Sequence, residues 1–337
     1  MSKKVAIIGG GVSGITSALI LGKLGLDVTL FERKKTLISG PPFCHLHAGG
    51  NLYREISDEQ CITLLEQSID FAKLYPQSID KRPTVIALPS DDPQEPQMLF
   101  RRLELLRAMY KEMVRKQPDC AILGESDNYF ELFSKEQIIE LSKEPEARHP
   151  KNNREWLIPF AKNVDIKSIK FPVIVVQEYG INLFSVGASA GLALESMPNV
   201  RVYREYEVTN VQRDKNSFTL EASSYRGEFD YLINSCGFQT GVIDDMLGVK
   251  EKRMVEFKAA FTSLWSQRSP YWPEIIFHGE RGTPRGMGQF TPYCGGFVQL
   301  HAMTQDITLC KECLVKTTQQ SSYPKLGTHL LKTIESG

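Results

Sequence analysis

The sequence carries no excess of charge of either sign. Its 337 residues include 40 Lys and Arg against 40 Asp and Glu, so the formal net charge is zero. No global electrostatic field therefore attracts the chain to nucleic acid or to an anionic membrane surface. We expect no nucleic-acid partner, and any charged ligand must be held by local groups.

Cysteine is scarce and follows no spacing framework. The chain has seven cysteines, an odd number scattered along its length. Secreted domains that depend on disulfides use paired cysteines at regular spacings, whereas reduced thiols are typical of the cytosol. We therefore expect free thiols, no structural disulfide and a cytoplasmic location.

Long hydrophobic runs are absent except for the uncharged stretch 5–22, which follows Lys3 and Lys4 as a signal sequence would. This stretch contains five glycines, has no small-residue cleavage site before Lys23, and continues into a second strand-like segment at 27–31. A signal sequence usually ends at a cleavage site, and an anchor segment is usually followed by a stop-transfer flank. We expect neither an export signal nor a transmembrane segment.

Internal repeats and low-complexity tracts are also absent, and strands alternate with helices. The pattern begins with a buried strand at 5–8, a helix at 14–24 and a strand at 28–31, which predicts adjacent parallel strands. Further helices are predicted at 58–74, 98–114, 135–141 and 183–197. Further strands are predicted at 84–88, 173–176, 200–203, 208–213, 218–222, 231–235, 254–265, 274–278, 287–291 and 297–301. The last four strands suggest an antiparallel sheet.

The turn after the first strand reads Gly9-Gly10-Gly11-Val12-Ser13-Gly14 and satisfies G-x-G-x-x-G. Gly9 permits a tight turn, Gly11 lets the backbone approach a pyrophosphate, and Gly14 lets the helix pack closely. The N–H groups that open the helix, at Val12 and Ser13, would then receive the pyrophosphate. The spacing predicts a dinucleotide-binding turn.

Glu32 ends the second strand, eighteen residues after Gly14. A carboxylate at this position accepts hydrogen bonds from ribose hydroxyls and repels a 2′-phosphate, which disfavours NADP. The fingerprint alone leaves NAD and FAD open.

The whole N-terminal pattern, from Gly9 through Gly25 and Val28 to Glu32-Arg33, resembles the FAD-binding segment of the D-amino-acid oxidase and glycine oxidase superfamily. Three later stretches resemble the same superfamily in the expected order: Ala48-Gly49-Gly50-Asn51, Glu207-Val208, and the apolar strand that ends at Cys236-Gly237. The resemblance implies FAD as cofactor. The cofactor-binding residues that it and the fingerprint indicate are Gly9, Gly11, Val12, Ser13, Gly14, Glu32, Arg33, His47, Ala48, Gly49, Gly50, Val208, Cys236 and Gly237.

Two features of the resemblance leave alternatives open. Some relatives attach the flavin covalently through a histidine in the Gly/Pro loop that holds His45 and His47, although non-covalent contact is favoured here. The family's Gly-rich segment near the C-terminus has no clear counterpart in 304–337, so that segment either has diverged or is truncated in this chain.

Polar side chains in 281–301 are candidates for substrate binding. We predict a substrate pocket between the strands of 254–301 and the face of the flavin, with Arg285, Tyr293 and His301 as the functional residues. Arg285 would anchor a carboxylate through its planar fork. The neighbouring Arg281, Gln289 and Gln299 are further candidates. Cys310 and Cys313, with Cys294 and His301, could in principle form a zinc or redox site, but free thiols are favoured and no metal is expected.

The fold class that follows is α/β, with a Rossmann-like FAD-binding domain (a parallel sheet with helices) and a second, mostly antiparallel substrate domain. The predicted boundaries are 1–78 with 172–248 for the first domain and 79–171 with 249–303 for the second, followed by a C-terminal segment 304–337. The leading function is an FAD-dependent oxidoreductase that oxidises an amine, amino acid or 2-hydroxy acid and passes electrons to oxygen, a quinone or a redox protein. An NAD-linked dehydrogenase and a non-catalytic nucleotide-binding fragment are the alternatives.

Overall fold

The computed structural model describes residues 2–38, 54–250, 261–265, 271–280 and 283–302. These residues divide into two compact units. The first comprises 2–38 and 183–250, and the second comprises 54–182, 261–265, 271–280 and 283–302. The predicted boundaries of a cofactor domain and a substrate domain stay a prediction.

The strands are β1 (Lys4–Ile8), β2 (Asp27–Glu32), β3 (Ile79–Asp80), β4 (Thr84–Pro89), β5 (Phe130–Phe133), β6 (Ile169–Val176), β7 (Gly180–Ile181), β8 (Val200–Arg204), β9 (Val208–Arg213), β10 (Phe218–Ala222), β11 (Tyr225–Phe229), β12 (Tyr231–Asn234), β13 (Phe261–Leu264), β14 (Glu274–Phe277), β15 (Gly288–Pro292) and β16 (Phe297–Ala302). The α-helices are α1 (Val12–Lys23), α2 (Asp58–Leu74), α3 (Phe100–Lys116), α4 (Lys135–Leu141), α5 (Asn153–Asn163), α6 (Leu183–Glu195) and α7 (Thr240–Met246).

The first unit contains a four-stranded parallel sheet in the order β12-β1-β2-β8. The predicted pairing of the first two strands is confirmed, because β1 lies parallel to β2 from Lys4 beside Asp27 to Ile8 beside Phe31. A separate antiparallel sheet, β11-β10-β9, completes the unit. Buried side chains of both sheets, among them Ile8, Phe31 and Val211, form one apolar cluster.

The uncharged stretch 5–22 lies within this unit as strand, turn and helix, with its apolar residues Val5, Ile7 and Ile15 fully buried or nearly so. Its hydrophobicity is therefore explained by packing in a folded core. Among the described residues, no helix is long and apolar enough to cross a membrane.

The second unit contains a seven-stranded sheet in the order β13-β16-β15-β14-β4-β6-β5. All neighbouring strands in it run antiparallel except β14 and β4, which are parallel. The prediction that the last four strands form an antiparallel sheet is confirmed, since β13, β16, β15 and β14 pair antiparallel, and the parallel pairing joins them to β4. The mixed α/β class, with one parallel and one mostly antiparallel sheet, is confirmed.

The two faces of this large sheet differ in chemistry, because side chains alternate along each strand. Val85, Val175 and Ile275 point to one face, where they join a buried apolar cluster with α4 and α5. Register places six side chains with hydrogen-bonding groups on the opposite face, which also holds the apolar Ile86 and Ile276: Thr84, Glu274, Gln289, Thr291, Gln299 and His301. We call this second side the polar face.

The region 119–165 contains two elements that were not predicted, β5 and α5. α5 has an ordinary start, since Asn152 caps it by accepting a hydrogen bond from the Glu155 N–H at 3.0 Å. It also contains Pro159, which as a helix breaker masked its apolar spacing. By contrast, the predicted bounds 58–74 and 135–141 are those of α2 and α4, each of which begins with a Ser capping box.

Candidate functional site

Close backbone contacts require glycine at two positions of the turn between β1 and α1. Gly9 has φ +101°, and a Cβ there would lie 2.4 Å from the carbonyl oxygen of Ser235. A Cβ on Gly14 would lie 1.8 Å from the carbonyl oxygen of Gly9. Neither position can hold a side chain unless the backbone moves. The turn and the helix are therefore packed as closely as the fingerprint requires.

Gly11 differs from both, because a Cβ at this position would meet no atom within 4 Å. Gly11 is the N-cap of α1, and no side chain caps that helix end. The space beside Gly11 and the uncapped N–H groups of Val12 and Ser13 fit an anionic group such as a pyrophosphate. The Ser13 hydroxyl lies 3.4 Å from the Ser235 hydroxyl.

Glu32 ties the glycine turn to the chain that follows β2. One carboxylate oxygen accepts the Gly10 N–H at 2.7 Å, and the other accepts the Lys34 N–H at 2.7 Å. An ionised carboxylate has about four acceptor sites, so it can still receive ribose hydroxyls. Glu32 thus fits the predicted ribose contact and also shapes the turn.

Position 10 also requires glycine, which the fingerprint does not predict. A Cβ on Gly10 would lie 3.0 Å from the Glu32 carboxylate and 2.7 Å from the Leu37 side chain. The Gly10 carbonyl accepts the Ile38 N–H at 2.9 Å. Gly10 occupies a variable position of G-x-G-x-x-G, so only the run of three glycines could have indicated it.

The later cofactor candidates of the first unit have varied surroundings. Arg33 is partly exposed and lies 4.0 Å from Glu207. The Val208 side chain is buried in the apolar cluster. The Cys236 thiol donates to the Ile8 carbonyl at 3.5 Å, and burial, with a smaller contribution from Glu32, raises its pKa to about 12. Cys236 is therefore an unreactive thiol. Gly237 has φ +56° at the end of the strand.

Other candidates lie outside the described residues. These are His45, His47, Ala48, Gly49, Gly50, Asn51, Arg281, Cys310 and Cys313, together with the segment 304–337.

Tyr293 and His301 both belong to the hairpin of β15 and β16 on the polar face. The Tyr293 hydroxyl donates to the side-chain oxygen of Gln299 at 2.9 Å, and Tyr293 is buried. His301 lies directly opposite Gln289 in the register. The structure thus brings Gln289, Tyr293, Gln299 and His301 together on two neighbouring strands.

Arg285 lies apart from that group, in the turn before β15. Its side chain is 69% exposed and pairs with the exposed Asp91. Arg285 Nη1 donates to the Asp91 backbone carbonyl at 3.1 Å and lies 3.5 Å from the Asp91 carboxylate. An arginine that anchors a carboxylate in a dry cavity is expected to be largely buried. This exposure does not support the anchor role, which stays a prediction.

A buried charged group that the sequence analysis missed lies beside Gln289. Arg82 Nη1 donates to Glu274 at 2.7 Å, and the two side chains are only 3% and 1% exposed. The Gln289 side-chain amide donates to the other oxygen of Glu274. Arg82 and Glu274 are separated by 192 positions in the chain, so no local pattern could have paired them.

A second buried group lies at the opposite ends of β4 and β14. Arg54 donates from Nη2 to Asp92 at 2.6 Å and from Nε to His278 Nδ1 at 3.2 Å. Burial acts to raise the pKa of Asp92, but hydrogen bonds from Arg54 and the Gln94 N–H outweigh it, so this pKa lies below its usual value. Because Arg54 only donates, His278 Nδ1 must accept, and the ring proton is assigned to Nε2.

Comparison with known proteins agrees with this geometry. Residues 4–149 match the model of a family described as FAD dependent oxidoreductase. No curated protein sequence matches the chain.

Solved structures share the fold at low sequence identity. L-proline dehydrogenase from P. horikoshii is 15% identical with a TM-score of 0.63, and the match covers 99% of this chain and 75% of that one. Glycine oxidase from Geobacillus kaustophilus is 13% identical with a TM-score of 0.56, covering 89% and 71%. L-alpha-glycerophosphate oxidase from Mycoplasma pneumoniae, solved with FAD bound, is 17% identical with a TM-score of 0.51, covering 90% and 72%. At such identities the likeness shows a common fold.

The glycine turn fits the pyrophosphate of a dinucleotide, and the family match covers that turn together with Glu32. Residues 4–149 are therefore similar to the family described as FAD dependent oxidoreductase, and the chain shares the fold of L-proline dehydrogenase and glycine oxidase.

Proposed function

We propose that this flavoenzyme oxidises an amine, an amino acid or a 2-hydroxy acid by hydride transfer to FAD and passes the electrons to oxygen, a quinone or a redox protein. The observation that carries the substrate class is the polar face of the second unit. Glu274, Gln289 and Thr291 are all less than 9% exposed there and carry hydrogen-bonding groups. Buried polar side chains converging on one surface are typical of sites for small polar ligands.

Each part of the chain has a separate role in this proposal. Gly11, Val12 and Ser13 bind the pyrophosphate through backbone N–H groups, and Glu32 binds the ribose. FAD, when bound, supplies the ring that accepts the electrons. Gln289, Tyr293 and His301 orient the substrate by hydrogen bonds. The names of the structural relatives, which include an amino-acid dehydrogenase and an amino-acid oxidase, support the same substrate class.

The absorption spectrum of the purified protein and its reduction without oxygen test this function. We expect two flavin bands, and we expect at least one of glycine, L-proline, benzylamine and glycolate to bleach them. A colourless protein that is stabilised against heat by NAD would instead support an NAD-linked dehydrogenase. A protein that neither FAD nor NAD stabilises would support a non-catalytic fragment.

Replacing Glu32 with Gln should weaken FAD binding by roughly 1–3 kcal/mol, the usual cost of losing charged hydrogen bonds. The Glu32 carboxylate accepts hydrogen bonds from the backbone N–H groups of Gly10 and Lys34. The glutamine amide would place its NH₂ group against one of these two donors. Titration of the apoprotein with FAD measures the effect. Glu195→Gln is the matched control, because that carboxylate is 57% exposed and pairs with Arg204 on the protein surface. Equal FAD affinity in Glu32→Gln and the parent would refute the assignment.

A cytoplasmic location stays a prediction that rests on the cysteine content. Within the described part of the chain, Cys61, Cys120 and Cys236 are free thiols.

A further inference from the structure

The segment 33–38, which follows β2, is bonded to the glycine turn near both of its ends, and we call it the strap. At its start, one oxygen of the Glu32 carboxylate accepts the Lys34 N–H at 2.7 Å, and the other accepts the Gly10 N–H. At its end, the Ile38 N–H donates to the Gly10 carbonyl at 2.9 Å. Both polar groups of the Gly10 backbone are therefore held from this side of the chain.

Leu37 of the strap contacts the glycine turn and also α6. It is 7% exposed, and its side chain packs on Gly10, where a Cβ would lie 2.7 Å from it. A Cβ on Gly187 of α6 would lie 3.2 Å from the Leu37 carbonyl oxygen. Glycine inside a helix is unfavourable relative to alanine, and here its small size lets the strap lie close to α6.

Ile38 has a backbone conformation that is a true outlier for a β-branched residue. Its φ is +51°, in the left-handed region. Strain of this kind persists only where the surrounding contacts enforce it, and it concentrates at functional sites. The contacts that enforce it here are the hydrogen bond to Gly10 and the packing of Leu37 on the turn and on α6.

The Ile38 hydrogen bond fixes the peptide group that joins Gly10 to Gly11. Glycine on both sides leaves a peptide free to rotate unless another group holds it. The carbonyl and the N–H of a trans peptide point in opposite directions, so holding the Gly10 carbonyl also sets the direction of the Gly11 N–H. If this peptide turned over, a carbonyl oxygen would take the place of the N–H, and its partial negative charge would repel a phosphate.

We propose that Ile38 and Leu37 are positioning residues for FAD. The strap holds the peptide between Gly10 and Gly11 in the orientation that receives the pyrophosphate, and α6 holds the strap. This inference rests on the proposed function, because it takes the glycine turn as the FAD site. It adds residues outside the glycine fingerprint that set the affinity of the turn for the cofactor.

Two alanine substitutions in α6 test the strap without changing the turn. Gly187→Ala puts a Cβ 3.2 Å from the Leu37 carbonyl oxygen, which is closer than ordinary van der Waals contact, so the strap must shift. Gly191→Ala is the matched control, because its Cβ would make ordinary contacts, 3.4 Å from the end of Arg204 and 3.8 Å from the Leu37 side chain. Both variants gain the same helix propensity, so the difference between them reports the strap.

Titration of each apoprotein with FAD, at a temperature where every variant is folded, gives the Kd. We expect Gly187→Ala to raise it about fivefold or more and Gly191→Ala less than about twofold, because binding groups tolerate only small displacements. Hydrogen exchange of the Ile38 amide should be slow in the parent and in Gly191→Ala, and faster in Gly187→Ala. Equal FAD affinity and equal exchange in the two variants would overturn the role of α6 and the strap.

Two substitutions at Ile38 test the hydrogen bond itself. Ile38→Pro removes the N–H and cannot adopt a positive φ, whereas Ile38→Gly keeps the N–H and adopts that φ without strain. We expect Ile38→Gly to bind FAD at least about tenfold more tightly than Ile38→Pro. The α6 pair decides the question if proline prevents folding. Equal FAD affinity in both folded Ile38 variants and the parent overturns this inference alone, whereas a parent that binds no FAD overturns the proposed function itself.

Discussion

Gly11→Val should fold as well as the parent protein and fail to retain FAD. A side chain at Gly11 has room in the chain itself, since a Cβ there meets no atom within 4 Å. The same space is the one that a pyrophosphate must enter to reach the N–H groups at the start of α1. We expect the Kd for FAD to rise at least about 100-fold, which equals roughly 2.7 kcal/mol.

The neighbouring glycine provides the contrast for this experiment. Gly14→Ala puts a Cβ 1.8 Å from the Gly9 carbonyl oxygen, so it should lower the thermal stability of the apoprotein as well as FAD binding. Gly11→Val should leave apoprotein stability unchanged. Normal FAD affinity in a folded Gly11→Val protein would show that the pyrophosphate lies elsewhere.

Arg82→Met should reduce the free energy of unfolding by about 3–5 kcal/mol, because it leaves Glu274 as a buried charge without its cation. Glu274 is 1% exposed, so water cannot replace the lost partner. Removing the carboxylate as well, in Arg82→Met with Glu274→Met, should restore most of the loss. Urea unfolding followed by circular dichroism measures both differences.

The exposed pair Lys111 and Asp127 is the control for this comparison. Both side chains are more than half exposed, and such pairs contribute about 0–1 kcal/mol. If Arg82→Met is as mild as Lys111→Met, the Glu274 carboxylate must be solvated or protonated, and the buried ion pair is not present in solution.

The first unit could be predicted from sequence because its signals are local. A buried strand, three glycines, an apolar helix and Glu32 lie within the first 32 residues, and the chain connects β1 to β2 directly. Short-range spacing therefore specifies both the sheet pairing and the turn. The requirement for glycine at position 10 was not predicted, because it comes from the side chains of Leu37 and Glu32, and no spacing rule describes these contacts.

The second unit was less predictable because its decisive contacts are distant in sequence. The pairing of β14 with β4 cannot be read from either strand alone, and it places Glu274 beside Thr84. Residue type did indicate Gln289, Tyr293 and His301, which the structure groups on one hairpin. It equally indicated Arg285, whose exposure became evident only once the turn was placed beside Asp91.

The parallel contact of β14 with β4 has a consequence for how the chain folds. β4 (Thr84–Pro89) and β14 (Glu274–Phe277) are far apart in sequence, and the ion pair beside them closes a loop of 192 positions. Closing so long a loop costs conformational entropy before any contact repays it, and pairings of this kind are slow to form. During synthesis, β4 and β6 must wait with an open sheet edge until β14 emerges, after most of the first unit has already been made. The polar face should therefore be the last part of the protein to mature, and the nascent chain should be most prone to aggregate during that interval.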